Sequence, residues 1–167
     1  MTNATQTAQT VQVYRVYIKA TPEAIWDAIT KPEWTHRYGY GVYSDFDLRP
    51  GGAYRGIANE EMKAQGAPEV AVDGEVIEAD PPRRLVQTWR LLMDPTLAAE
   101  GFTRLTYDIE AREGGVSVLT VTHDLTNAPS TAALTAGQME SQGAGGGWSW
   151  VLSELKTLLE TGKPFRS

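Results

Sequence analysis

Near the C-terminus, Trp148, Val151, Leu152, Leu155, Leu158 and Leu159 recur at helical spacing over roughly 12 residues, with Ser149, Ser153, Glu154, Lys156 and Glu160 on the opposite side. At ~1.5 Å per residue this helix runs about 20–24 Å, long enough to lie across several strands. Gly162 supplies its C-cap, and Pro164 prevents continuation. A stripe of this length has to be buried against another layer, and the preceding chain decides which.

That preceding chain reads mostly as strands. Residues 11–18 are β-branched and aromatic. Thr21 is a good N-cap and Pro22 suits the first helical position, which opens a short helix to about residue 29. Pro32 disfavours helix at Lys31 and restarts a second short helix, to about residue 38. Residues 41–48, 53–57, 70–78, 85–92, 103–112 and 116–124 then read as strands. The turn Arg49-Pro50-Gly51-Gly52 and the segment Ala79-Asp80-Pro81-Pro82 separate some of them. Residues 60–69 are expected to be a loop, and a short helix is expected near 131–138. Leu105, Tyr107 and Ile109 share one face, as do Leu119, Val121 and His123 on the partner strand. The class is therefore α+β: a curved antiparallel sheet of about six to seven strands wrapped around the C-terminal helix, with two short helices after the first strand.

Length and composition narrow the function. The 167 residues suit one domain, expected over 11–164, with a disordered N-terminal tail over 1–10 and a short tail over 165–167. Acidic residues outnumber basic ones 21 to 15, and the net charge of -6 argues against nucleic-acid binding. No long apolar run is present, so no membrane insertion is expected. The first residues lack the charged and apolar regions of a secretory signal, and a cytoplasmic location is the expectation. With 0 Cys there are no disulfides, thiolate nucleophiles or Cys-based metal sites. No metal and no cofactor is expected.

Specific runs carry a family resemblance. Ile18-Lys19-Ala20-Thr21-Pro22-Glu23-Ala24-Ile25-Trp26-Asp27-Ala28-Ile29-Thr30 resembles the opening of the helix-grip superfamily (START-like, Bet v 1-like, SRPBCC). Phe46-Asp47-Leu48-Arg49-Pro50-Gly51-Gly52-Ala53-Tyr54 is similar to its branch related to the C-terminal domain of the Hsp90 ATPase activator. So are residues 74–89 and the helix from Gly147-Trp148 to Gly162. The resemblance covers residues 11–164 and implies the helix-grip fold. It does not fix one activity, because the superfamily includes lipid carriers, hormone receptors, polyketide cyclases and co-chaperone domains.

Aromatic residues concentrate on the short helices, the first strands and the start of the last helix. Each buries on the order of 150–250 Å², so they fill the core, line a cavity or cover an interface. A site for a small hydrophobic ligand is expected between sheet and helix, formed by Trp34, Tyr38, Tyr43, Trp89, Tyr107, His123, Met139 and Trp148. Trp150 lies off the apolar stripe, facing a pocket mouth, a partner subunit or solvent. His123 has two readings: a cavity group with acid–base capacity, or a buried imidazole satisfied by its neighbours. No G-x-S-x-G elbow or phosphate-binding glycine pattern occurs, and the Gly143–Gly147 region reads as close packing or a hinge. Non-catalytic ligand binding is the first functional reading. The alternative is a protein-interaction module, either a homodimer or an Hsp90-type co-chaperone domain. A cyclase- or hydrolase-like enzyme using His123 comes third.

Overall fold

A computed structural model describes residues 10–165. β1 (Val11–Ile18) is followed by α1 (Pro22–Thr30) and α2 (Pro32–Thr35). The Thr21 hydroxyl accepts from the Ala24 amide at 3.1 Å to start α1, and extended Lys31 separates α1 from α2 ahead of Pro32. Next come β2 (Tyr43–Phe46), β3 (Ala53–Ile57), α3 (Glu60–Ala64), β4 (Val70–Asp80), β5 (Arg84–Leu91), α4 (Pro95–Ala99), β6 (Thr103–Ala111), β7 (Ser117–Asp124), α5 (Pro129–Thr135) and α6 (Gly147–Thr161).

The segment expected as a loop over 60–69 therefore contains α3. Asn59 caps it, its Oδ1 accepting from the Met62 amide at 2.8 Å. Asp94 caps α4 in the same manner. Helices of five residues are too short to print an apolar period.

Among the described residues, seven strands form one antiparallel sheet in the order β1-β7-β6-β5-β4-β3-β2. Register shifts at Gly56/Ile57 and at Val76/Glu78 bend it. Alternation puts Thr103, Leu105, Tyr107 and Ile109 of β6 on the concave side, where Leu105 stands between Gln87 of β5 and His123 of β7. α6 lies in that concavity and is closed by Gly162, whose φ of +87° provides the left-handed C-cap. This is the helix-grip arrangement. No helix among the described residues is long and apolar enough to cross a membrane.

Two hydrophobic clusters make up the interior. The larger gathers Leu152, Leu155 and Leu158 of α6 with α1 and with Leu85, Leu105, Ile109, Leu119 and Val121 of the sheet. The smaller joins Tyr54, Ala58, Ala71, Val72 and Leu91. Phe46 and Trp89 touch both.

One face assignment is corrected. Glu154, expected on the solvent side of α6, is 0% exposed. It is one helical turn from both Trp150 and Leu158, at the border of the apolar stripe. There its carboxylate accepts from the amides of Gly39 at 2.8 Å and Phe165 at 3.2 Å. The Phe165 ring packs edge-on against Trp150, 5.2 Å between centroids. The tail expected over 1–10 lies outside the described residues except Thr10, whose carbonyl accepts from Leu125 at 2.7 Å.

Candidate functional site

Where the two clusters meet, the sheet and the first turns of α6 stand apart and leave a cavity of about 150 Å³. Tyr54, Val72, Trp89 and Leu91 form its sheet wall, and Tyr107 adds a side chain from β6. Trp148 and Val151 face them from α6, while Ile29, Tyr38 and the turn that follows close one side. Small residues keep the space open: Gly39, Gly41, Ser44, Thr35, Thr135 and Gly147 occupy positions that larger side chains would fill. Gly147 is obligatory there. Its φ is +68°, and a Cβ would stand 2.2 Å from the Thr135 carbonyl oxygen, so α6 begins in direct contact with the end of α5.

Among the described residues, no Asp, Glu, Lys, Arg or His lines this cavity. Its polar character comes from hydroxyls and indoles. The Tyr38 hydroxyl donates to the Ala28 carbonyl at 2.8 Å, and burial raises its pKa strongly. Burial also pushes the Tyr54 phenol up to about 12, against the opposing pull of hydrogen bonds with Ser44 and Trp89. Tyr107 is raised too, by burial first and then by the nearby Tyr54 and Tyr38 phenols. All three phenols are therefore neutral across the ordinary pH range.

Behind Trp148 stands His123, fully buried. The Trp148 Nε1–H donates to His123 Nδ1 at 3.0 Å. The neutral ring must then carry its proton on Nε2, which donates to Thr103 Oγ1 at 2.8 Å, and Thr103 passes its own hydrogen to the Trp89 carbonyl at 2.8 Å. Burial lowers the His123 pKa to about 3, with Asp124 opposing the shift. Both ring nitrogens are occupied, so the imidazole has no lone pair or proton to offer a ligand. It acts as a strut and holds both cavity tryptophans, with the Trp89 ring edge-on at 4.9 Å.

Residues 19–160 match the model of the family described as "Activator of Hsp90 ATPase homolog 1-like protein". The chain belongs to this family. Among solved structures it is similar to a protein from Mesorhizobium loti (21% identity, 90% of this chain and 96% of that chain, TM-score 0.66). It is also similar to an Hsp90 activator from Plasmodium falciparum (18% identity, 89% and 95% covered, TM-score 0.60). A third is the Aha1 dimer from Colwellia psychrerythraea (20% identity, 92% and 98% covered, TM-score 0.61). No curated protein matches the chain. At these identities the likeness establishes the shared fold alone.

Within this family fold, the structure brings Tyr38, Trp89, Tyr107 and Trp148 together at the cavity, with His123 one layer behind. It does not bring Trp34, Tyr43 or Met139 there. Trp34 packs against the larger cluster from outside, with Arg37 over its ring at 4.8 Å. Tyr43 is exposed at the start of β2 and stacks on His36 at 4.8 Å. Met139 borders a separate groove beside Leu97, Pro129 and Ala133. Among the lining residues missed are Tyr54, Leu91, Thr35, Ser44 and Leu134. Strand alternation was the available signal for Tyr54, which is buried between exposed Ala53 and Arg55. The small polar residues gave none.

Proposed function

We propose that this protein binds a small hydrophobic molecule in the cavity between the sheet and α6, without chemically transforming it. The observation carrying this reading is the cavity itself: about 150 Å³, half-open and walled by aromatic and aliphatic side chains between the sheet and α6. The closed hydrogen-bond network of His123 supports the non-catalytic part, because no other histidine is buried and His123 has nothing left to give. Native mass spectrometry of freshly purified protein, paired with a thermal-shift screen of hydrophobic metabolites, tests it. Retained ligand or a raised melting temperature is expected, and Leu134→Phe, which projects bulk into the cavity, should abolish both. No retained mass and no shift across the screen would overturn the reading.

A specific feature also favours a protein-interaction role. The edge strand β1 exposes Val11, Val13 and Tyr17 at 54%, 59% and 50%, in a family whose Colwellia psychrerythraea relative was solved as a dimer. Light scattering should then report twice the mass of one chain. A monomer that leaves the Hsp90 ATPase rate unchanged would remove this role.

A further inference from the structure

We propose that the ligand of this cavity is a neutral, compact molecule of about one aromatic ring that carries a hydrogen-bond acceptor, and that the Tyr107 hydroxyl donates to it. The inference rests on the cavity being a ligand site and adds the chemical class it selects.

Size comes first. A largely apolar, half-open cavity of about 150 Å³ encloses a molecule near the size of benzene, too little to enclose a whole fatty acyl chain or a sterol. Charge comes second. The lining holds no cation or carboxylate, and its phenols stay protonated, so a carboxylate or ammonium ligand would be buried without a counter-charge. Shape comes third: the Tyr107 and Trp148 rings meet edge-on, 6.1 Å apart at 80°, and with Trp89 they leave flat faces that suit a ring.

The hydroxyls decide the polar end. Tyr38 donates to the Ala28 carbonyl, whereas the Tyr54 and Tyr40 oxygens are held as acceptors, Tyr54 by Ser44 and Trp89 and Tyr40 by the Gly147 amide at 3.1 Å. Tyr107 has no hydrogen-bond partner among the described residues, although it lines the cavity and its phenol lies near those of Tyr54 and Tyr38. Tyr107 is half-buried with its hydroxyl proton uncommitted, and a ligand acceptor entering the cavity would take that proton in a hydrogen bond. Ketones, aldehydes, esters and phenols qualify, while plain hydrocarbons lack the group.

Three probes of one size test this by calorimetry on the full chain: acetophenone, α-methylstyrene (which replaces the carbonyl oxygen with a methylene) and benzoate. Acetophenone is expected to bind about tenfold more tightly than α-methylstyrene, as one hydrogen bond supplies. Benzoate should not bind. Tyr107→Phe should reduce acetophenone to the level of α-methylstyrene and leave the hydrocarbon unchanged. Equal affinities in the unmodified protein, binding of benzoate, or a preference that survives in Tyr107→Phe would overturn the inference while leaving the ligand site standing. If neither neutral probe binds, the inference falls, and the native mass spectrometry and thermal-shift screen decide the ligand site itself. Should Tyr107→Phe fail to show an unchanged melting temperature, the three probes on the unmodified protein decide alone.

Discussion

Trp148 on α6 and His123 on β7, 25 positions apart in sequence, meet through one hydrogen bond of 3.0 Å in the interior. It ties the start of the helix to β7, next to the sheet's edge strand, and sets the orientation of an indole that walls the cavity. Because His123 also holds Thr103, and Thr103 holds the Trp89 carbonyl, four elements (α6, β7, β6 and β5) share one chain of donors and acceptors.

Trp148→Phe breaks that chain at its first link. The His123 Nδ1 would be left buried without a donor, and part of the indole volume would be lost. The expected cost is about 2–4 kcal/mol, combining an unpaired buried acceptor with reduced packing. Urea denaturation measures it. A loss below about 0.5 kcal/mol would show that the bond is not a strut, since a surface change alone gives that much.

The same pair predicts the acid side of the stability profile. The His123 pKa is about 3 in the folded protein, below its ordinary 6.5. Between those values the unfolded chain takes up a proton that the folded chain refuses, so stability is complete above pH 6.5 and falls as the pH drops toward 3. The slope approaches about 1.4 kcal/mol per pH unit. It is best read between about pH 6.5 and 5, before carboxylates begin to titrate. Lower down, Asp124, Glu100 and Glu160, whose pKa values are held down chiefly by their hydrogen bonds, add further losses of the same sign. His123→Gln should flatten the slope between pH 6.5 and 5, and an unchanged slope would show that His123 is not the group responsible.

Much of this architecture was legible from periodicity. β1, β3 and the faces of β6 and β7 follow from alternation, and α6 follows from its stripe, because both patterns report which side of an element is buried. His123 was placed on the concave face by its phase with Leu119 and Val121. The Trp148 contact was not legible, since periodicity says which face of a helix is buried but not how far it slides along the sheet. For the same reason Trp34 and Met139 were expected at the cavity: being aromatic or flexible and apolar marks a residue for burial, not for one part of the interior. Thr35, Ser44 and the turn glycines shape the cavity by being small, and a small side chain has no pattern that separates a wall from an ordinary turn.

Glu154 shows the limit of face assignment and gives the last prediction. Its charge placed it on the solvent side, yet its carboxylate is buried where two amides converge, Gly39 before β2 and Phe165 after α6. Gly39 and Val151 both line the cavity, so Glu154 holds one rim of the site from behind. Glu154→Ala would strand both amide donors, and a cost of about 3 kcal/mol is expected from losing hydrogen bonds to a charged group. Glu154→Gln keeps one acceptor oxygen and should lose roughly half as much. Hydrogen exchange separates this role from general destabilisation, because the Gly39 and Phe165 amides should exchange faster than their neighbours in Glu154→Ala. If the Gly39 amide is as protected in the variant as in the parent, the carboxylate is not what holds that turn, and the rim is positioned by its other contacts.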